Sequence, residues 1–127
     1  MLVGTSKDLL EATAGHVLTE CYGTYPTQAN FPTLLAQAFM ALDLATSQDK
    51  PSPDEKPQRR LERSLYELGC AVNNLRNKEG TGHGRPWLSG VTQDDARIAA
   101  EGMGIVAEYL LNALDKWVTS RSHAAVH

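Results

Sequence analysis

Apolar residues recur along this chain at intervals of three and four, and no stretch alternates with the two-residue period of a strand. The spacing predicts four helices. The first runs from about Thr5 to Cys21, with Leu9, Leu10, Ala14, Val17, Leu18 and Cys21 recurring on one side, and Gly23 and Pro26 mark its end. The second runs from about Phe31 to Thr46, where Pro32 suits a first turn and Leu34, Leu35, Ala38, Phe39, Leu42 and Ala45 form the apolar stripe. Residues 47–57 hold Pro51, Pro53 and Pro57 among charged side chains and read as an exposed loop.

The third helix is predicted over about Gln58 to Lys78, with Leu61, Leu65, Leu68, Val72 and Leu75 as a narrow seam. At 100° per residue Arg76 lies about 60° from Leu61 and from Asn73, so it borders that seam without joining it. The fourth helix begins near Thr92, which can cap while Asp95 answers three residues later. Its broad apolar face includes Ala99, Met103, Val106, Leu110, Leu114 and Trp117. Gly102 and Gly104 permit a close helix contact, within one molecule or across a dimer. The expected fold is an all-α, antiparallel four-helix bundle over residues 1–119, with a frayed tail at 120–127.

Size fits one domain: 127 residues and 13.8 kDa, with an apolar content of 42%. No apolar run approaches the ~20 residues of a membrane span, and the start shows no basic-then-apolar leader pattern. Cys21 and Cys70 fall inside helical patterns and suggest neither a disulfide framework nor a zinc site, so a reducing cytoplasm is expected. A net charge of −3 does not advertise a nucleic-acid partner. Its distribution is uneven, however. Between Lys56 and Arg85 seven cations (Lys56, Arg59, Arg60, Arg63, Arg76, Lys78, Arg85) face three acids (Glu62, Glu67, Glu79). That is either a local basic face for an anionic substrate or a solvated helix face paired within itself.

The chemistry concentrates in Arg76-Asn77-Lys78-Glu79-Gly80-Thr81-Gly82-His83-Gly84. Arg76 can fork onto two phosphate oxygens. His83 titrates near neutral pH and can move a proton. The three glycines free the backbone to fold the imidazole back towards the guanidinium. An arginine with a histidine, and no obvious metal ligands nearby, suits phosphodiester cleavage in RNA. Plainer readings stand beside this one. Arg76 can pair with Glu79 or cap carbonyls, and His83 can bond the helix C-terminus. Asp94 and Asp95 read as helix capping rather than a metal pair. Pro86-Trp87-Leu88 reads as an anchor of the loop in the core, with stacking of Trp87 on a base as the alternative.

These residues resemble the C-terminal domain of bacterial abortive-infection proteins, a branch of the HEPN superfamily. The resemblance covers nearly the whole chain. It rests on Gly4-Thr5-Ser6-Lys7-Asp8-Leu9-Leu10-Glu11, on Leu75-Arg76-Asn77-Lys78 with Gly80, His83 and Gly84, and on the alanine-rich last helix ending Glu108-Tyr109-Leu110-Leu111. The superfamily signature is an arginine, a polar residue and then a histidine, which Arg76, Asn77 and His83 match. It implies a domain that often dimerises and often acts as a metal-independent endoribonuclease without cofactor, in phage defence or toxin–antitoxin systems. The implied catalytic residues are Arg76, His83 and Asn77. Lys78, Gly82, Gly84 and Arg85, with Lys7 and Glu11 on the first helix, would contact substrate. Implied partners are RNA, a second copy completing a composite site, and an antitoxin or fused sensor domain. The alternative is a non-catalytic module that binds RNA or nucleotide, or mediates dimerisation.

Overall fold

The computed structural model describes residues 6–76 and 87–126, with side chains for 9–76 and 87–122. Among them are four helices: α1 (Ser6–Tyr22), α2 (Phe31–Ala41), α3 (Pro57–Leu75) and α4 (Gln93–Val126). Capping chemistry fixes two of the starts. The Asn30 side chain accepts the Thr33 amide at 2.9 Å, with Pro32 in the first turn of α2. At α4 the reciprocal box expected from Thr92 and Asp95 is formed. The Asp95 amide donates to Thr92 Oγ1 at 3.0 Å, and the Thr92 amide donates to Asp95 Oδ2 at 3.2 Å.

Packing makes an all-α bundle. α1 lies against α4 and α2, while α3 lies against α4 and α2 on the other side. Phe39, Leu10, Leu18, Leu34, Leu35, Met103 and Leu110 fill the centre, each almost wholly buried. Antiparallel order of α3 and α4 follows from their contacts. Leu75 shares a groove with Asp94 near the start of α4, Leu68 packs over Gly102, and Glu62 shares a cleft with Tyr109. A Cβ at Gly102 would stand 3.1 Å from Leu68, so that glycine does serve close helix contact; one at Gly104 would meet nothing.

Two helix ends differ from the sequence reading. α2 stops at Ala41 rather than Thr46, because Asp43 takes a left-handed φ of 60°. The Asp43 amide then bonds Met40 O at 3.0 Å and the Leu44 amide bonds Phe39 O at 2.8 Å, a Schellman closure built on aspartate instead of glycine. Leu42, Ala45 and Thr46 remain buried beyond the turn, which is why their apolar spacing imitated more helix. At the other extreme, α4 continues through Val126, past the tail expected to fray from Ser120. The Arg121 guanidinium lies over the Trp117 ring at 4.8 Å and supports that last stretch.

The rotation of α3 is the larger correction. Of the predicted seam, Leu65 and Val72 are buried, but Leu61 is 51% exposed. The buried face is Glu62, Leu65, Tyr66, Gly69, Val72 and Asn73. Gly69 explains the rotation: a Cβ there would lie 2.7 Å from Leu35 Cδ2 and 3.3 Å from Leu10 Cδ2. Beside it Tyr66 sets its ring edge-on to Phe39, with centroids 5.5 Å apart, and donates its hydroxyl to Pro32 O at 3.4 Å.

Glu62, only 9% exposed, ties the α2–α3 connection to α3. Its Oε1 accepts the Ala45 amide at 2.8 Å and Arg59 Nη1 at 3.1 Å, and Arg59 Nη1 also donates to Asp43 O at 2.7 Å. Arg63 pairs with Glu55 across the same connection. Replacing Glu62 by alanine leaves a buried amide without an acceptor and Arg59 without its buried partner. We expect Glu62→Ala to destabilise the fold by about 2–4 kcal/mol and Glu62→Gln by clearly less, measured by urea unfolding.

Tyr66 supplies a second expectation. Burial, and then its hydrogen bond to Cys70, pushes the phenol up to about 12. A pKa raised above the ordinary value of about 10 means the folded state holds this proton more tightly. Its contribution to stability is therefore whole below about pH 10 and is lost as pH rises through about 12. Urea midpoints followed into that alkaline range should fall more steeply in the native protein than in Tyr66→Phe.

Candidate functional site

α3 ends at Leu75 rather than Lys78, and the reason lies in its neighbour. Arg76 turns to extended backbone (φ −78°, ψ 142°), its amide reaching back to Asn73 O at 3.3 Å. Trp87 pairs with Arg76 as an isolated antiparallel bridge, and the Leu88 amide donates to Leu75 O at 2.9 Å. The chain thus leaves the end of α3 and returns to the same point. Asn77, Lys78, Gly82, His83, Gly84 and Arg85 fall between, outside the described residues.

What is described at this point is a half-buried guanidinium. Arg76 Cζ sits 5.8 Å from the centroid of the Trp87 ring. Arg76 Nε and Nη1 are enclosed with no hydrogen-bond partner among the described residues, and so is Oδ1 of Asn73, itself 3% exposed. Unpaired buried donors on a charged group cost free energy, of order 1–3 kcal/mol each. Folded proteins leave few such groups, and those that persist call for a role. An arginine so poorly compensated is a candidate ligand for an anion such as a phosphate, which pairs with one edge of a guanidinium at a time.

Other sequence-predicted residues separate from this point. Arg59 and Arg63 are spent on Asp43, Glu62 and Glu55, and Arg63 lies about 20 Å along α3 from Arg76. They are structural ion pairs and not one basic face with Arg76. Lys7 lies on α1, its side chain outside the described set. Glu11 is half-buried on α1, whose Leu10 reaches Gly69, two turns of α3 before Arg76. Nothing among the described residues bonds Glu11 to Arg76. Asp95 is occupied in capping, as expected, and no three His, Cys, Asp or Glu side chains gather among the described residues. Trp87 does anchor in the core, against which its ring packs.

Asn73 was missed by reading the leucines alone. The signal was present: Glu62, Tyr66, Gly69, Asn73 and Arg76 advance by four, three, four and three, a second line parallel to the leucine seam. It is polar at both ends, and so does not register as a hydrophobic period.

The third helix of the bundle thus breaks onto an arginine, with the chain folded back beside it. The family model described as a HEPN-like domain matches residues 1–114, and the chain belongs to this abortive-infection C-terminal family. Membership ties it to an abortive-infection-related function. No curated protein and no solved structure matches the chain.

If the Arg76 donors are held unpaired for a ligand, the fold gives up stability to keep them. Arg76→Met, which retains an apolar stem and removes the donors, should leave the unfolding free energy unchanged or raise it by up to about 1–2 kcal/mol, measured by urea unfolding. A clear loss of stability in that variant would instead make Arg76 a structural residue.

Proposed function

We propose that this domain is a metal-independent endoribonuclease, the effector part of a phage-defence or toxin–antitoxin protein acting in the cytoplasm. The observation that carries the reading is Arg76: a half-buried guanidinium with two unpaired, enclosed nitrogens at the end of α3, in a domain of HEPN-like family. The family's arginine–polar–histidine pattern supports adding Asn77 and His83 to it.

In the proposed reaction the ribose 2′-hydroxyl attacks its own 3′-phosphate. A proton leaves that hydroxyl, the P–O5′ bond breaks, and the 5′-oxygen takes up a proton. Products are a 2′,3′-cyclic phosphate and a 5′-hydroxyl. Arg76 holds the non-bridging oxygens and stabilises the charge that grows on them. His83 moves one of the two protons, a contribution of typically ~10²–10⁴-fold. A single imidazole does not readily serve both sides of the phosphorus, so a second copy of the domain supplies the other, in a symmetric dimer with a composite site. Asn77 orients the imidazole or the phosphate. Lys78, Arg85, the amides around Gly82 and Gly84, and the Lys7–Glu11 side of α1 line the path of the strand.

The test is cleavage of RNA by the purified protein in excess chelator. Activity should persist with cyclic-phosphate ends, be absent on an all-deoxy strand, and fall at least about 10²-fold in both Arg76→Ala and His83→Ala with unfolding midpoints retained. Binding of RNA without cleavage would assign the domain to the non-catalytic alternative. Cleavage that requires an added divalent cation would refute the mechanism.

A further inference from the structure

Two arginines of α3 and the one that follows its end are held in place in two different ways. Arg59 is gripped by Asp43 and Glu62, and Arg63 by Glu55. A carboxylate fixes a guanidinium but neutralises its charge and occupies its donors. Such an arginine is a poor ligand for a phosphate. No carboxylate pairs with Arg76 among the described residues; what lies against it is the face of Trp87 at 5.8 Å. A ring face attracts a cation through its quadrupole and leaves the N–H groups uncommitted.

The ring is placed by contacts other than the Arg76 side chain. Trp87 is bridged to the end of α3 through its backbone, flanked by the Leu88–Leu75 bond of 2.9 Å, and packs its side chain partly buried against the core. We propose that Trp87 is a positioning residue for Arg76: a core-anchored aromatic surface that sets the plane of the guanidinium while keeping its charge and donors for a phosphate. This rests on the reading above, in which Arg76 is the phosphate ligand. It differs from stacking of Trp87 on a base, because the ring face is spent on the protein's own cation.

The experiment compares Trp87→Phe, which keeps an aromatic face, with Trp87→Leu, which keeps apolar volume only. Each is made in the native and Arg76→Ala backgrounds. Affinity is measured for a 2′-O-methyl RNA oligomer, which lacks the attacking hydroxyl. Trp87→Leu should weaken binding about 3- to 30-fold, Trp87→Phe should recover most of that loss, and Trp87→Leu should change nothing once Arg76 is alanine. Equal losses in Phe and Leu, or a Leu effect that persists without Arg76, overturn the proposal. So does native affinity in Trp87→Leu.

A second readout separates this proposal from the function beneath it, and serves too where Trp87→Leu unfolds. The Arg76 Nε–Hε resonance should be ring-shifted in the native protein and in Trp87→Phe, and should move to an ordinary position in Trp87→Met. Should native protein and Arg76→Ala bind RNA equally, the ribonuclease reading fails while this resonance still decides the placement. An Hε shift that is the same with and without the aromatic ring sinks the positioning role.

Discussion

The missing side chain at Gly69 sets the geometry of everything on α3. With Leu35 Cδ2 only 2.7 Å and Leu10 Cδ2 3.3 Å from where a Cβ would stand, side chains of α2 and α1 pack directly onto the backbone of α3. That packing fixes the roll of the helix. Whatever stands three, four or seven residues from Gly69 is then carried inward whether or not it is apolar. Tyr66 and Val72 benefit by burial, while Glu62, Asn73 and Arg76 are brought in at a cost that must be met by partners. A bulkier residue at 69 would roll α3 back towards its leucines and release the polar line to solvent.

The two ends of this polar line are resolved in opposite ways. At the N-terminal end the burial of Glu62 is compensated by the Ala45 amide and Arg59, and the result is a pinned connection between α2 and α3. At the C-terminal end Asn73 Oδ1 and two nitrogens of Arg76 have no such compensation among the described residues. Both arrangements use a charged side chain at the margin of one core. Among the described residues only the second leaves polar atoms unpaired.

Much of the architecture was legible in the sequence because it rests on local rules. The capping residues Thr92 and Asp95 and the apolar stripes of α1, α2 and α4 act within a turn or two of themselves. The misreadings have a common cause. Asp43 closes α2 in a conformation usually left to glycine, and the roll of α3 depends on Leu10 and Leu35, far away in the chain. Neither is visible from hydrophobic spacing. Arg76 was readable by its position as bordering the buried face of α3, but its contact with Trp87 is a tertiary fact that joins residues far apart in the chain. Asn73 sat in a recognisable heptad line yet carried no apolar signal.

The local rules break at one place in concert. The helix ends early onto extended backbone, a charged group is drawn inside without a counter-ion among the described residues, and a tryptophan lies against it instead. Each of these costs stability or ordering that a purely structural bundle would avoid, as the well-compensated Glu62 end of the same helix demonstrates. An aromatic face can fix a guanidinium without occupying its N–H donors. A carboxylate in its place would make a more stable domain with nothing left to offer an anion. Among the described residues the partner at this corner is a ring face and not a carboxylate, and the quadrupole of Trp87 is what meets the charge of Arg76 there.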